Sequence, residues 1–598
     1  MDERETAQGA GASRKVKEPE FSEAKITDDL QTNLMQIDSE LGVNVGFDVG
    51  CRKMDIAGRK AALYYVNGFT KDLDMLQIMR SLDDFEKGAK EKEQFSIDHL
   101  VDRYLFYLQV TKEAKIRQIY YHILSGRIAI LFDGEKEAVI VEARQMPARQ
   151  PEEPDIERVV RGSRDGFTET IVTNTALIRR RIRDPRLRFK LTQVGRRSQT
   201  DVCIAYIEDI ADPHLIDEIM ERVNSIDIDG LPMAEKTLEE FITGNDWNPY
   251  PRVRYTERPD VAAQHLLEGH VLVMCDTSPS VMIAPVTVFH HLEHAEEYRQ
   301  NPPVGIYLRI VRYAAIFASL FVLPLWVLVT LHPTLLPPGL AFIGPKKMGN
   351  VPILAQVLIA EFGLDMLRMA AIHTPTPLAT ALGLIAAFMI GEVAINVGLF
   401  NPEIILYLAV AAVGSFATPS YELGQANRLV RLFLILMTAA FSWIGLLIGV
   451  LAFLALVIRT KSFGKPYFWP LAPINVKMIP VALLRAPVPA KRLRPQMLDP
   501  IDPDRLPDAY AGAAGGAAQG TPQTRKNQQG GSRKSSKTER EKVNKVKKND
   551  SKVIPIIGTS KIEAPSQDNE KSSGSPRWRQ QRRGLWTWFK TKMGGKKR

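Results

Sequence analysis

The sequence predicts an α+β/α chain: a soluble N-terminal module of two similar α/β subdomains, an α-helical polytopic membrane domain, and a disordered basic tail. Three observations predict it. Two blocks of the first 300 residues repeat at a nearly constant offset, apolar runs dominate residues 306–458, and the last hundred residues are polar and almost free of apolar clusters. The expected boundaries are 1–30 for a disordered N-terminus, 31–160 and 161–300 for the two subdomains, 301–475 for the membrane helices, and 476–598 for a juxtamembrane segment and the tail.

The repeat is read from two matches. "LSGRIAILFDGEKEAVIVEAR" begins at Leu124 and "LEGHVLVMCDTSPSVMIAPVT" at Leu267, while "YVNGFTKDLDMLQIM" begins at Tyr65 and "YIEDIADPHLIDEIM" at Tyr206. The first pair reads as a helix end, a stop glycine (Gly126, Gly269), a strand, a turn at Asp133 or Asp276, and a second strand. Ile128/Ile130 and Val139/Val141 alternate with the period of a hairpin. The second pair reads as a strand entering an amphipathic helix, with Asp212 as N-cap and Pro213 as first helical residue. Two such subdomains side by side predict a cleft between them.

Charge separates the chain further. From Thr521 to Arg598 there are 22 Lys/Arg against 6 Asp/Glu, a tail of +16, whereas the whole chain is +10, so the remainder is −6. A mildly acidic body weakens a nucleic-acid role for its arginines. Cys51, Cys203 and Cys275 are far apart with no CxxC pair, and the last two sit in apolar alternating runs, which predicts buried thiols in strands and a reducing compartment. The first residues have no apolar core, so no cleavable signal peptide is expected.

Between the repeats lies "VVRGSRDGFTETIVTNTALIRRRIRDPRLR", which carries Arg161, Arg164, Arg179, Arg180, Arg181, Arg183, Arg186 and Arg188. Its middle fits one helix, with Ile171, Thr175 or Ala176, Ile178 and Ile182 inward, Asp184-Pro185 ending it, and Arg179, Arg180 and Arg183 on the exposed arc. The carboxylates of "PEEPDIERVV" just upstream are placed to pair with those arginines.

Five apolar segments follow: Ala314–Leu331, Pro352–Ala371, Leu378–Leu399, Ile404–Thr418 and Leu429–Ile458. The first and last are long enough to span roughly 30 Å of hydrocarbon. Arg309 and Arg312 before the first, and the Lys/Arg-rich chain after Ile458, place both flanks in the cytoplasm and require an even number of crossings. Four spans is the simplest solution, with the second segment not crossing fully; it leaves Arg428 and Arg431 on the wrong side. In that second segment Glu361, Asp365 and Arg368 fall at i, i+4 and i+7 on one helical face. They line a pore or interface, or belong to a helix lying on the membrane. Glu392 and Asn396, also i and i+4, sit in an otherwise apolar run and are candidates for an interior polar seam.

The chemistry of an enzyme is not legible. There is no GxxxxGK[ST] loop, GxSxG elbow or HExxH. His290 and His294 have a metal-ligand spacing but no third ligand follows, so a membrane-proximal helix with exposed histidines is expected, with no metal, cofactor or catalytic residue. The tail is too polar to fold alone. Its end, with Trp578, Trp586, Trp588 and Phe589 among lysines and arginines, suits an anionic membrane or nucleic acid, or is a plain solubilising extension.

"RGSRDGFTETIVTNTALIRRRIRDPRL", "HTPTPLATALG", "ATPSYELGQANRLVRL" and "PYFWPLAP" together resemble the A-subunit family of bacterial spore germination receptors, the GerA family. "FDVGCRKMDIAGRKAALYYVNGF", "GLPMAEKTLEEFITG" and "NPYPRVRYTERPDVAAQHLLEGHV" resemble its stage V sporulation branch. The likeness runs from about residue 30 to about 500 and leaves the tail outside. It implies a multi-pass protein of the spore inner membrane, its soluble half in the core. It implies an oligomeric, pentameric channel releasing monovalent cations and amplifying the germinant receptor signal, with a small membrane partner protein and germinant receptor complexes as its associates. The arginine block is then a hallmark of the soluble domain, with Arg161, Arg164, Arg179, Arg180, Arg181 and Arg183 in salt bridges within and between subunits. A non-conducting scaffold organising germinant receptors is the competing expectation. Alternating-access transport is weaker, because no inverted repeat is visible among the apolar segments.

Overall fold

The computed structural model describes residues 24–70, 72–89, 96–105, 109–145, 157, 159–244, 247–345, 351–373, 392–476, 478–488 and 491–505. The N-terminal stretch, the basic tail and most of the third apolar segment lie outside them.

Two five-stranded antiparallel sheets form the half that the sequence reads as soluble. The first is built from β1 (Val49–Ile56), β2 (Arg59–Val66), β3 (Val110–Glu113), β4 (Ile128–Phe132) and β5 (Ala138–Val141), in the order β1-β2-β4-β5-β3. The second uses β6 (Leu187–Val194), β7 (Thr200–Ile207), β8 (Arg254–Thr256), β9 (Val271–Cys275) and β10 (Val281–Ala284), in the order β6-β7-β9-β10-β8. The strand order is the same in both. The central strands β4 and β9 are buried along their whole length, which is why they read as unbroken apolar runs. Cys203 in β7 and Cys275 in β9 are buried, and Cys51 in β1 is half-buried.

The repetition reaches single hydrogen bonds. Around α1 (Leu30–Leu41), Asn33 accepts from the Thr27 amide and donates to its carbonyl, and Asp133 accepts from the Leu30 amide at 3.2 Å. At α5 (Ile171–Arg181), Asn174 does the same with Thr168, and Asp276 accepts from the Ile171 amide at 3.0 Å. The remaining helices of the soluble half are α2 (Asp72–Ala89), α3 (Ile97–Arg103), α4 (Ile116–Leu124), α6 (Pro213–Asn224), α7 (Ala234–Thr243) and α8 (Pro259–Glu268). Asp212 caps α6, accepting from the His214 amide at 3.1 Å, with Pro213 at its first position. Gly126 and Gly269 stop α4 and α8 with φ of 92° and 104°, where a side chain would be strained.

Two short helices, α9 (Val288–Leu292) and α10 (Ala295–Arg299), lead into the helical half: α11 (Pro302–Leu331), α12 (Ile353–His373), α13 (Pro402–Phe416) and α14 (Tyr421–Arg459). By length and composition α11 and α14 are the described helices able to cross a membrane. Helix α14 is not one rod. Ser442 has φ 58° and ψ −138°, and the chain reverses there. Tyr250 donates to Asn427 at 3.1 Å while its near neighbour Asn248 donates to Thr460 at 2.7 Å. In a straight helix residues 427 and 460 would be about 50 Å apart. A Cβ at Gly445 would collide with the Met437 carbonyl, and one at Gly449 with Leu434, so these glycines let the halves 421–441 and 443–459 pack backbone to backbone. The single long span read from Leu429–Ile458 is therefore corrected to a helical hairpin.

Helix α13 lies against α11, where Gly414 abuts the Ala315 carbonyl and Ser319. At the tip of the hairpin Ser442 hydrogen-bonds His332, just past the end of α11. Residues after 459 return to the soluble half: Ser462 donates to the Arg252 carbonyl at 2.6 Å, Arg494 to the Leu267 carbonyl at 2.9 Å, and the Ile501 amide to the Ile210 carbonyl at 3.0 Å.

Candidate functional site

The charged face of α12 looks inward. Glu361, Val357 and Ala360 are buried, while Ile359, Phe362, Met366 and Met369 form the exposed face. Glu361 pairs with Arg431 of α14 through two contacts of 2.8 Å, and Asp365 pairs with Arg428 at 3.0 Å. Arg431 also donates to the Ser319 carbonyl of α11 at 2.9 Å, so one guanidinium joins three helices. Arg368 lies with its guanidinium 5.2 Å from the Phe416 ring. Arg428 and Arg431, which the four-span reading left on the wrong side, are held by carboxylates within the helical half. Glu392 and Asn396 are exposed on the protomer.

A second cluster joins the soluble half to α11. Arg309 is fully buried and donates to Glu297 at 2.7 Å, to Glu293 and the Ala482 carbonyl at 3.1 Å, and to the Tyr298 hydroxyl at 3.2 Å. Arg312 also pairs with Glu297. Burial alone would raise the Glu293 carboxyl, but Arg309 and then Lys491 outweigh it and hold it at about 2.

The histidines are not exposed on one helix as the spacing predicted. Helix α9 ends before Glu293, so His290 and His294 fall on separate elements, both half-buried. His290 packs edge-on against His265 and His270, with ring centres 5.8 and 5.0 Å away. Burial pushes His265 down to about 4 and His270 and His291 down to about 3, so all three are neutral at physiological pH. Among the described residues no cluster of His, Cys, Asp and Glu is placed to hold a metal.

The arginine block works inside the chain. Arg179, expected on the exposed arc, is buried: it donates to Asp48 at 2.9 Å and to the Leu187 carbonyl at 2.8 Å, tying the second sheet to the first. Position 179 is four after Thr175 and three before Ile182, so it shares their inward face. Arg181 pairs with Asp165 at 2.5 Å, Arg183 is exposed and donates to Tyr121 at 3.3 Å, and Arg161, Arg164 and Arg180 are exposed. Upstream, Glu157 pairs with Arg254 at 2.6 Å rather than with this helix, and Glu152, Glu153 and Asp155 lie outside the described residues. A cavity of about 300 Å³ is lined by Arg254, His265, Glu293, Tyr298 and Lys491, so it opens beside the α11 junction and not between the two sheets.

A family profile described as Bacillus/Clostridium GerA spore germination protein matches residues 36–497. The chain belongs to this family. Among GerA relatives, stage V sporulation protein AF of Bacillus subtilis (strain 168) is 49% identical over 469 residues, 78% of this chain and 95% of that protein. Spore germination protein B1 of the same organism is 29% identical over 481 residues, 80% and 99% of the two chains. The crystal structure of the N-terminal domain of the A subunit of the Bacillus megaterium spore germinant receptor GerK3 covers 44% of this chain and 97% of that one. It matches at 26% identity with a TM-score of 0.35.

Sequence reasoning missed Asp48, Glu297 and Ser442. The hairpin had a signal: the thirty residues of Leu429–Ile458 are too many for one crossing of roughly 30 Å, and Gly445 and Gly449 form a GxxxG pair.

Proposed function

We propose that this chain is a multi-pass spore membrane protein of germination that assembles into an oligomeric, cation-conducting channel. The observation that carries the reading is the exposure of Glu392 and Asn396 on the protomer, inside an apolar run. A carboxylate facing lipid is costly, so such a side chain faces water or another copy of the chain. An assembly that surrounds a wet path with Glu392 satisfies both, and a ring of carboxylates favours cations. Contacts at both ends of the helical half support a topology with both flanks on one side: Arg309 near the start of α11 donates to Glu293, and Thr460 at the end of α14 accepts from Asn248. Kinship with proteins named for spore germination and sporulation supports the setting.

A scaffold that organises germinant receptors without conducting is the second reading. It is favoured by the engagement of Glu361 and Asp365 in ion pairs within the protomer. Reconstitution of the purified full chain in sealed liposomes loaded with potassium separates the two. Conduction predicts potassium release above that from empty liposomes, while assembled protein that leaves the gradient intact establishes the scaffold.

A further inference from the structure

We propose that the turn Ile479–Leu483 and the side chain of Trp247 lie in the headgroup layer on the soluble-domain side of the bilayer and seat the soluble half on the lipid surface. This rests on the reading of the helical half as membrane-spanning.

The argument starts from height along the helices. His332 touches Ser442 at the far end. Ala314, where the apolar run of α11 begins, is eighteen residues before His332, and Thr460, which caps α14, is eighteen residues after Ser442. At 1.5 Å per residue both lie about 27 Å from that contact, close to the thickness of a hydrocarbon core. The Ala482 carbonyl accepts from Arg309 and from the Tyr313 hydroxyl, each at 3.1 Å, which pins the turn one residue short of Ala314. At the other end of this level, Thr460 accepts from Asn248 at 2.7 Å, beside Trp247.

The chemistry at this height suits lipid. Met478 to Leu484 is apolar at every position, with Pro480 and Leu484 exposed. Trp247 is 103% exposed, a large apolar body with one N–H donor, the side chain that collects at membrane interfaces. From Phe468 to Val488 there is no Asp or Glu, and the exposed Lys461 and Arg492 flank the stretch. Apolar side chains rimmed by cations match anionic headgroups over acyl chains.

The test uses the full chain in nanodiscs of phosphatidylcholine and phosphatidylglycerol, in a Cys51→Ser background because Cys203 and Cys275 are buried. Nitroxide labels are placed singly through Trp247→Cys and Leu484→Cys, with Leu447→Cys in the hairpin and Met35→Cys in α1 as controls. The quantity read is collisional accessibility to dissolved oxygen against a water-soluble nickel chelate. Ratios at 247 and 484 between those at 35 and 447 are expected. Ratios there equal to that at 35, with 447 in lipid, overturn the proposal, as does exclusion of both reagents, which means contact with a second copy. An aqueous ratio at 447 overturns the membrane reading itself, and the proposal with it.

Discussion

Two clusters of arginine and carboxylate hold this protein together, and their surroundings give them different tasks. Inside the helical half the pairing is one to one, Glu361 with Arg431 and Asp365 with Arg428. At the junction with the soluble half, Arg309 reaches Glu293 and Glu297 while Arg312 shares Glu297, with Tyr298 and three neutral histidines nearby. The interior ladder fixes how α11, α12 and α14 pack. The junction is a shared network in which a change at one carboxylate is felt by several cations.

The largest effect that sharpens this contrast is Arg431→Leu. It leaves the buried Glu361 unpaired and is expected to cost about 3–5 kcal/mol. A lowered thermal midpoint of the purified protein in detergent checks it, and Glu361→Leu added to Arg431→Leu should recover most of the loss. If the double variant is no better than the single one, the interior pair is not the closed unit described. Next is Gly445→Val, whose side chain meets the Met437 carbonyl; prising the hairpin apart should cost about 1–3 kcal/mol by the same assay.

The junction is expected to answer to pH through its buried histidines. Unfolded imidazoles take up a proton near pH 6.5, but His265, His270 and His291 resist until about 4, 3 and 3, so between those values the unfolded chain binds more protons. Their stabilisation is full above pH 6.5 and lost as the pH falls, on the order of 2 kcal/mol per ring by pH 5. Glu293, held at about 2, contributes above the ordinary carboxylate range and adds only a small slope of the same sign as the pH nears 5. Unfolding of the full chain followed from pH 7.5 to 5 should therefore show falling stability, and a flat profile would contradict the buried neutral histidines. Smallest of all is Arg180→Ala on the exposed side of α5, expected within about 0.5 kcal/mol, against the buried Arg179 one residue away.

Much of the fold could be read in advance, because local chemistry determines it. The glycine stops at 126 and 269 and the Asp212 cap each act within a few residues, and the stops recur in both halves; the bonds of the turn aspartates 133 and 276 to the Leu30 and Ile171 amides reach across more than a hundred residues and were not legible. The single face of Glu361, Asp365 and Arg368 follows from helical spacing alone. What that face meets does not, since Arg431 is seventy residues away. Arg179 was misplaced because a long charged side chain was assigned to solvent although its position lies on the inward arc. The reversal at Ser442 was hidden for a different reason: serine is unremarkable in an apolar run, and only the glycines beyond it reveal the close packing.

The most direct test compares Glu392→Gln with Glu361→Gln in liposomes carrying a potassium chloride gradient, reading the selectivity for potassium over chloride from the reversal potential. With a conducting path lined by Glu392, Glu392→Gln assembles as the parent does but loses cation selectivity, while Glu361→Gln reduces the amount of assembled protein. Unchanged selectivity in a correctly assembled Glu392→Gln variant contradicts the account.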